Sequence, residues 1–206
     1  MKQSSRQWLC RQLNDGFVKQ ASTAGYRSRA IFKLMEIDDK FALIKNATSI
    51  IDLGAAPGSW SQLLAARAAE NAKIVALDLL PFAPLDRVHQ YVGNFEDMAL
   101  QSAVAEYLEQ KADLILSDMS PSTTGHRQID HLKIMALVEN VLIFACKILQ
   151  MDGALVIKIF QGGEEKRFAS HLKTIFRRVV FFKPQASRNE SREIYLVASG
   201  FVLGRP

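Results

Sequence analysis

Four ionisable side chains stand where their chemistry is conspicuous: Lys33 in RSRAIFKL, Asp118 in SDMSP, Lys158 inside the apolar run LVIKIF, and Glu193 in SREIYL. Lysine is rarely buried without a partner. Burial disfavours its charged form and lowers its pKa from about 10.4. An amine tuned to about 7–8 accepts protons as a general base. Carboxylate neighbours push the other way, and the sequence leaves that balance open. A strand-end lysine snorkelling to solvent is the competing reading. A lysine set between carboxylates suits one task in particular, taking the proton from a weakly nucleophilic hydroxyl or orienting its oxygen.

A second cluster surrounds DLGAAPGSW, Asp52 to Trp60. Gly54 permits a tight turn and Gly58 keeps the following helix start bare. The spacing is not GxGxxG, and Pro57 has no N–H, so the loop makes a poor pyrophosphate cradle. A nucleoside ligand without phosphates is favoured, and S-adenosylmethionine fits. Asp52, Gly54, Ala55, Pro57, Gly58 and Trp60 are the loop residues expected to hold it. Asp78 ends the next apolar run, where a carboxylate can accept from both hydroxyls of a ribose. Asn94 and Asp97 can reach the adenine edge, and Asp118 belongs to the same rim. Alternatively, Asp78 and Asp118 only cap helices.

Transfer from a sulfonium needs an in-line nucleophile near the methyl. A Pro-Cys pair for attack at a base carbon is absent. The Asn/Asp-Pro-Pro-aromatic run of base-nitrogen methylation is replaced by Asp118-Met119-Ser120-Pro121. Base-nitrogen methylation is therefore disfavoured, and a hydroxyl acceptor suits the lysine and carboxylates better.

These residues need a scaffold. Apolar runs of strand length fall at 49–53, 73–78, 113–117 and 154–160, with a weaker one at 89–92. Helical stretches at 59–69 and 134–149 alternate with them, which predicts a parallel sheet covered on both faces. A helix beginning near Ser28 buries Ala30, Leu34, Ile37 and Phe41, with Lys33 at the edge of that face. Another helical stretch lies near 5–13. Runs at 179–182 and 194–198 are separated by a polar loop too short for a crossover helix, so they predict an antiparallel hairpin. The expected fold class is α/β, a Rossmann-like class I methyltransferase. It has a mostly parallel seven-stranded sheet, a C-terminal antiparallel hairpin and helices on both faces. A basic helical extension is expected over 1–35 and the methyltransferase domain over 36–206.

The chain has 206 residues, 49% hydrophobic and 23% charged, enough for one core without disulfide staples. Cys10 and Cys146 match no metal or redox spacing and read as free thiols of a reducing compartment. Neither a membrane span nor a secretory h-region is visible, so a cytoplasmic protein is expected. The net charge is +5. From Met1 to Lys33 there are seven basic residues against Asp15 alone, which points to a polyanionic partner.

Taken in order, GYRSRAIFKL, DLGAAPGSWSQ, DLLP, SDMSP, VIKIFQG and SREIYLVASG resemble the FtsJ family of ribosomal RNA 2′-O-methyltransferases over about residues 6–200. The resemblance implies a catalytic tetrad of Lys33, Asp118, Lys158 and Glu193. Lys158 would accept the proton, Lys33 and Glu193 would orient the ribose 2′-hydroxyl, and Asp118 would lie between cofactor and lysine. It also implies cofactor contacts at Gly58, Trp60, Asp78, Asn94 and Asp118, and no metal. The implied partner is a uridine of large-subunit ribosomal RNA in the assembled 50S subunit, met by a monomer. Arg6, Arg11, Arg27 and Arg29, beside Lys33, would contact RNA phosphates. Trp8 and Tyr26 could stack bases, whereas Phe17 suits packing. Arg177, Arg178, Lys183, Arg188 and Arg192 could extend that surface. The sequence departs from the family pattern at Asn94 (often Asp), at Ser59 (often Gly, here read as an N-cap) and at Ser122 (often Asn). Rival expectations are 2′-O-methylation of transfer RNA or an mRNA cap, and a non-catalytic assembly factor that keeps the fold.

Overall fold

The computed structural model describes residues 15–122, 124–188 and 190–202. The helix expected near 5–13, with Arg6, Trp8, Cys10 and Arg11, lies outside them. The elements run α1 (Gly16–Thr23), α2 (Ala30–Phe41), β1 (Ser49–Leu53), α3 (Ser59–Arg67), β2 (Lys73–Asp78), β3 (Val88–Val92), α4 (Met98–Leu108), β4 (Ala112–Ser117), α5 (Arg127–Ile148), β5 (Leu149–Phe160), α6 (Glu165–Ile175), β6 (Phe176–Phe182) and β7 (Glu193–Phe201).

One seven-stranded sheet has the order β3-β2-β1-β4-β5-β7-β6. The first five strands are parallel, and β7 runs antiparallel to both β5 and β6. This is the predicted mostly parallel sheet with its C-terminal hairpin. The runs at 49–53 and 73–78 form strands with those bounds. β5 begins five residues earlier than its apolar run, because Gln150 to Gly153 pass through an irregularity against β4, where Asp152 has φ 67°. Helices α1, α4 and α6 were not expected. Residue 35, where the extension was expected to end, lies within α2.

Side chains alternate across the sheet, and the two faces carry separate cores. On one face Ile51, Val75, Ile115, Leu155 and Leu196 meet α4, α5 and α6. On the other, Ile50, Ile74, Leu114, Val156 and Val197 meet α2 and α3. The alternation decides where the chemistry sits. Lys158 shares the parity of Ala154 and Val156, and Glu193 that of Tyr195 and Val197. Both therefore face α2. That helix is held by fully buried Ile31, Leu34 and Ile37, each contributing about 1.5–3 kcal/mol. Its C-terminal end is fixed by the Asp38 carboxylate, which accepts from the N–H groups of Leu43 and Ile44. No helix among the described residues is long and apolar enough to cross a membrane.

Candidate active site

The carboxyl ends of β1, β2 and β4 carry the first part of the site, at the rim where open α/β sheets bind ligands. Beyond β1 the chain turns at Gly54 (φ 77°), whose N–H donates to the Leu77 carbonyl. A Cβ there would lie 2.8 Å from the Met119 backbone, so glycine lets the β1 and β4 loops touch. Gly58 has φ 96° and caps α3 without a side chain. Ser59 is therefore not the N-cap expected from the sequence. Its hydroxyl lies 2.7 Å from that of Ser28 and joins α3 to the segment before α2.

A cavity of about 530 Å³ opens beside this loop, walled by Gly54, Asp78, Asn94, Met119, Ser122 and Lys133 among others. Its volume suits a small-molecule site. The Asp78 carboxylate accepts from the N–H groups of Ala56 and Leu80, both at 2.9 Å, which fixes it at the rim. Asn94 Oδ1 accepts from the Glu96 N–H. Asp97 does not turn toward the cavity as expected, because its carboxylate caps α4 by accepting from Ala99 N–H. Asp52, Ala55 and Trp60 lie beneath the loop, buried. The Trp60 indole N–H donates to the Ala30 carbonyl and its ring packs against Tyr195. Asp52 accepts from the Ser61 hydroxyl at 2.7 Å, while its other oxygen is buried without a partner. Burial above all, with Asp118 and Asp78 adding repulsion and Ser61 opposing, pushes the Asp52 carboxyl up to about 7.

The four expected catalytic side chains come together on the α2 face. Lys158 Nζ lies 3.0 Å from Asp118 Oδ1 and also donates to the Asp118 carbonyl. Lys33 Nζ lies 2.7 Å from Glu193 Oε1. Tyr195, directly across the ladder from Lys158, donates its hydroxyl to Asp118 Oδ1 at 2.7 Å, and its ring lies 5.9 Å from Lys33 Nζ. Burial opposes ionisation of Asp118, but Lys158, Lys33 and the two hydrogen bonds outweigh it and hold its carboxyl below the usual range. Burial and the Asp118 charge push the Tyr195 phenol well above its ordinary value, so it stays a donor. The sequence reading missed Tyr195. Its signal was the period of two from Glu193, which puts both residues on one face of the strand.

The loop before β7 is tied to α2. Glu36 accepts from the N–H groups of Gln185 (2.6 Å) and Ala186 (2.8 Å), so the helix bearing Lys33 and the strand bearing Glu193 share a clip.

A model of the FtsJ-like methyltransferase family matches residues 26–201. The chain belongs to the FtsJ-like methyltransferase family. It is 48% identical over 200 residues to the Ribosomal RNA large subunit methyltransferase E of Acidiphilium cryptum, covering 97% of this chain and 88% of that one. The protein of the same name from Zymomonas mobilis is 49% identical over 198 residues, 96% and 89% of the two chains. Among solved structures, a ribosomal RNA methyltransferase from Plasmodium falciparum superimposes with a TM-score of 0.78 at 31% identity, over 87% of this chain and all of that one.

The basic residues of this FtsJ-like chain have mixed placements. Arg27 donates to the Pro57 and Pro84 carbonyls, both at 3.1 Å, and lies over the Phe82 ring, so it braces the glycine loop. Phe17 and Tyr26 pack against Phe32. Arg177 pairs with Asp152, Arg178 lies over Phe41, Lys183 donates to the Ser191 carbonyl and Arg192 to that of Gln161.

Proposed function

We propose that this methyltransferase uses S-adenosylmethionine to methylate the ribose 2′-hydroxyl of a uridine in large-subunit ribosomal RNA, within the assembled 50S subunit. The observation that carries the reading is the pair of lysine–carboxylate contacts, linked through Tyr195 and Asp118, beside a cavity of cofactor size. The names of the bacterial relatives support the large ribosomal subunit as the source of substrate.

The residues fit the cofactor. Its ribose diol matches the Asp78 carboxylate at the end of β2, and its adenine edge matches Asn94. Gly54 and Asp78 wall the cavity, and the Asp78 carboxylate, paired with two N–H groups and with no cation in contact among the described residues, favours a cationic ligand. When bound, S-adenosylmethionine supplies an electrophilic methyl on a positively charged sulfur.

The chain's own task is to position the hydroxyl and take its proton. As the 2′-oxygen gains the methyl group, its proton is taken up by Lys158 in its amine form, whose own proton has left to solvent beforehand. Ionised Asp118, 3.0 Å away, stabilises the ammonium so formed. Lys33, held by Glu193, polarises the hydroxyl and fixes its direction. Arg6, Arg11 and Arg29 contact RNA phosphates from the basic N-terminal stretch, which continues into α2 and its Lys33. The protein works as a cytoplasmic monomer and needs no metal.

The test supplies labelled S-adenosylmethionine with undermethylated large subunits, naked ribosomal RNA or transfer RNA, and maps the methyl group. Label on a uridine 2′-oxygen of the large subunit is expected. Label on a base, on transfer RNA, or on nothing would overturn the proposal.

A further inference from the structure

A second cavity, of about 320 Å³, opens beside the Lys33–Glu193 pair, with Ser28, Arg29, Arg188 and Glu190 also on its walls. The Arg29 guanidinium donates to Asp15 Oδ2 and to the Ala186 carbonyl, while its buried Nε has no partner among the described residues. Arg188 Nε lies 3.7 Å from the same Asp15 oxygen. Two guanidinium groups therefore converge on one carboxylate oxygen. The other oxygen, Oδ1, accepts from Phe17 N–H and caps α1. Lys33 and Glu193 neutralise each other. Among the remaining groups Asp15 and Glu190 balance Arg29 and Arg188, and without Asp15 the cavity carries one net positive charge.

We propose that Arg29 and Arg188 form a seat for an RNA backbone phosphate, and that Asp15 is the internal occupant of that seat in the free protein. The inference rests on the ribose-methylation reading above. A guanidinium fork takes carboxylate and phosphate oxygens by the same geometry. A ribose that presents its 2′-hydroxyl to Lys158 carries its 3′-phosphodiester on the adjacent carbon. The backbone then passes the cavity walled by Lys33 and Glu193, where the two arginines converge. Binding exchanges one anion for another, so the arginines are never left without a partner. The exchange also lowers affinity for any RNA unable to displace Asp15, which makes the contact a filter as well as a brace.

The sign of the effect tests this. Asp15→Asn keeps an N-cap of equal quality and removes the competing charge. Its affinity for undermethylated large subunits, measured by sedimentation at fixed salt, is expected to be about three- to fivefold tighter than wild type. Cofactor affinity should not change. Glu106→Gln, on α4 over β2, makes the same change of net charge far from the seat. It is expected to alter binding by less than about 1.5-fold, because screening removes distant charges. Adding Arg188→Ala to Asp15→Asn should abolish the gain. The proposal is overturned if Asp15→Asn binds no tighter, if Glu106→Gln matches it, or if the gain survives loss of Arg188. Failure of wild type to bind and methylate large subunits would overturn the functional reading and the seat together. A wild type that does both, with Asp15→Asn unchanged, would overturn the seat alone.

Discussion

The rim beside the Gly54 loop and the lysine cluster each have a carboxylate of low exposure at the end of neighbouring parallel strands, yet they hold charge in opposite ways. At the end of β1, Asp52 has among the described residues only a hydroxyl for company, with no cation and one oxygen without a partner, and its carboxyl rises to about 7. At the end of β4, Asp118 is partly buried, but Lys158, Lys33 and Tyr195 keep its carboxyl ionised below the usual range. Burial alone therefore decides neither outcome. A carboxylate near its own pKa has room for an incoming positive charge. A carboxylate 3.0 Å from a lysine stabilises the positive charge that lysine carries once protonated.

The largest expected effect breaks the lysine side. Lys158→Ala should lower turnover by about 10²–10⁴-fold, the usual contribution of a general base, while calorimetry shows cofactor affinity little changed. Near-normal turnover would remove Lys158 from that role, and lost cofactor binding would show the two sides to be one unit.

A smaller effect breaks the cofactor side. In Gly58→Ala the added Cβ would meet the Arg27 guanidinium at 2.5 Å and the Phe82 ring at 2.8 Å, with φ at 96°. A stability loss of about 1–3 kcal/mol in urea, with weakened cofactor binding, is expected. Unchanged melting and affinity would mean the loop shifts freely and that Arg27 is no brace.

The smallest effect sharpens the contrast between the carboxylates. Folded Asp52 keeps its proton up to about 7, whereas the unfolded group loses it near 3.8. Its contribution to stability is full below 3.8 and is lost as pH rises through 7. Wild type should therefore lose about 1 kcal/mol relative to Asp52→Asn between about pH 6 and 8. Asp118 runs the other way, its contribution being present above 3.8 and lost in acid. A stability difference between wild type and Asp52→Asn that is flat with pH would refute the contrast.

The sequence made the sheet legible because five strands are buried on both faces and read as unbroken apolar runs. It concealed α6, whose face toward the core is only Phe168, Ala169 and Leu172 among charged neighbours. Lys158 was legible as a charge in an apolar strand. Tyr195 was not, since an aromatic in a strand is ordinary until its partner across the ladder is known. The second uses of Arg27, Asp97 and Ser59 were equally hidden. Each bonds a group distant in sequence or a local helix end, and residue type alone does not choose between bracing, capping and binding.

Strand β7 lies between β5 and β6, although β6 is made first. Without β7, β6 would have no strand beside it and Lys158 would stand on the open edge of β5. The last strand then brings Glu193 and Tyr195 together and closes that edge in the same step. Covering the sheet edge and completing the lysine cluster are thus one event: whatever removes β7 leaves the rim at Gly54 and Asp78 but takes Glu193 and Tyr195 away.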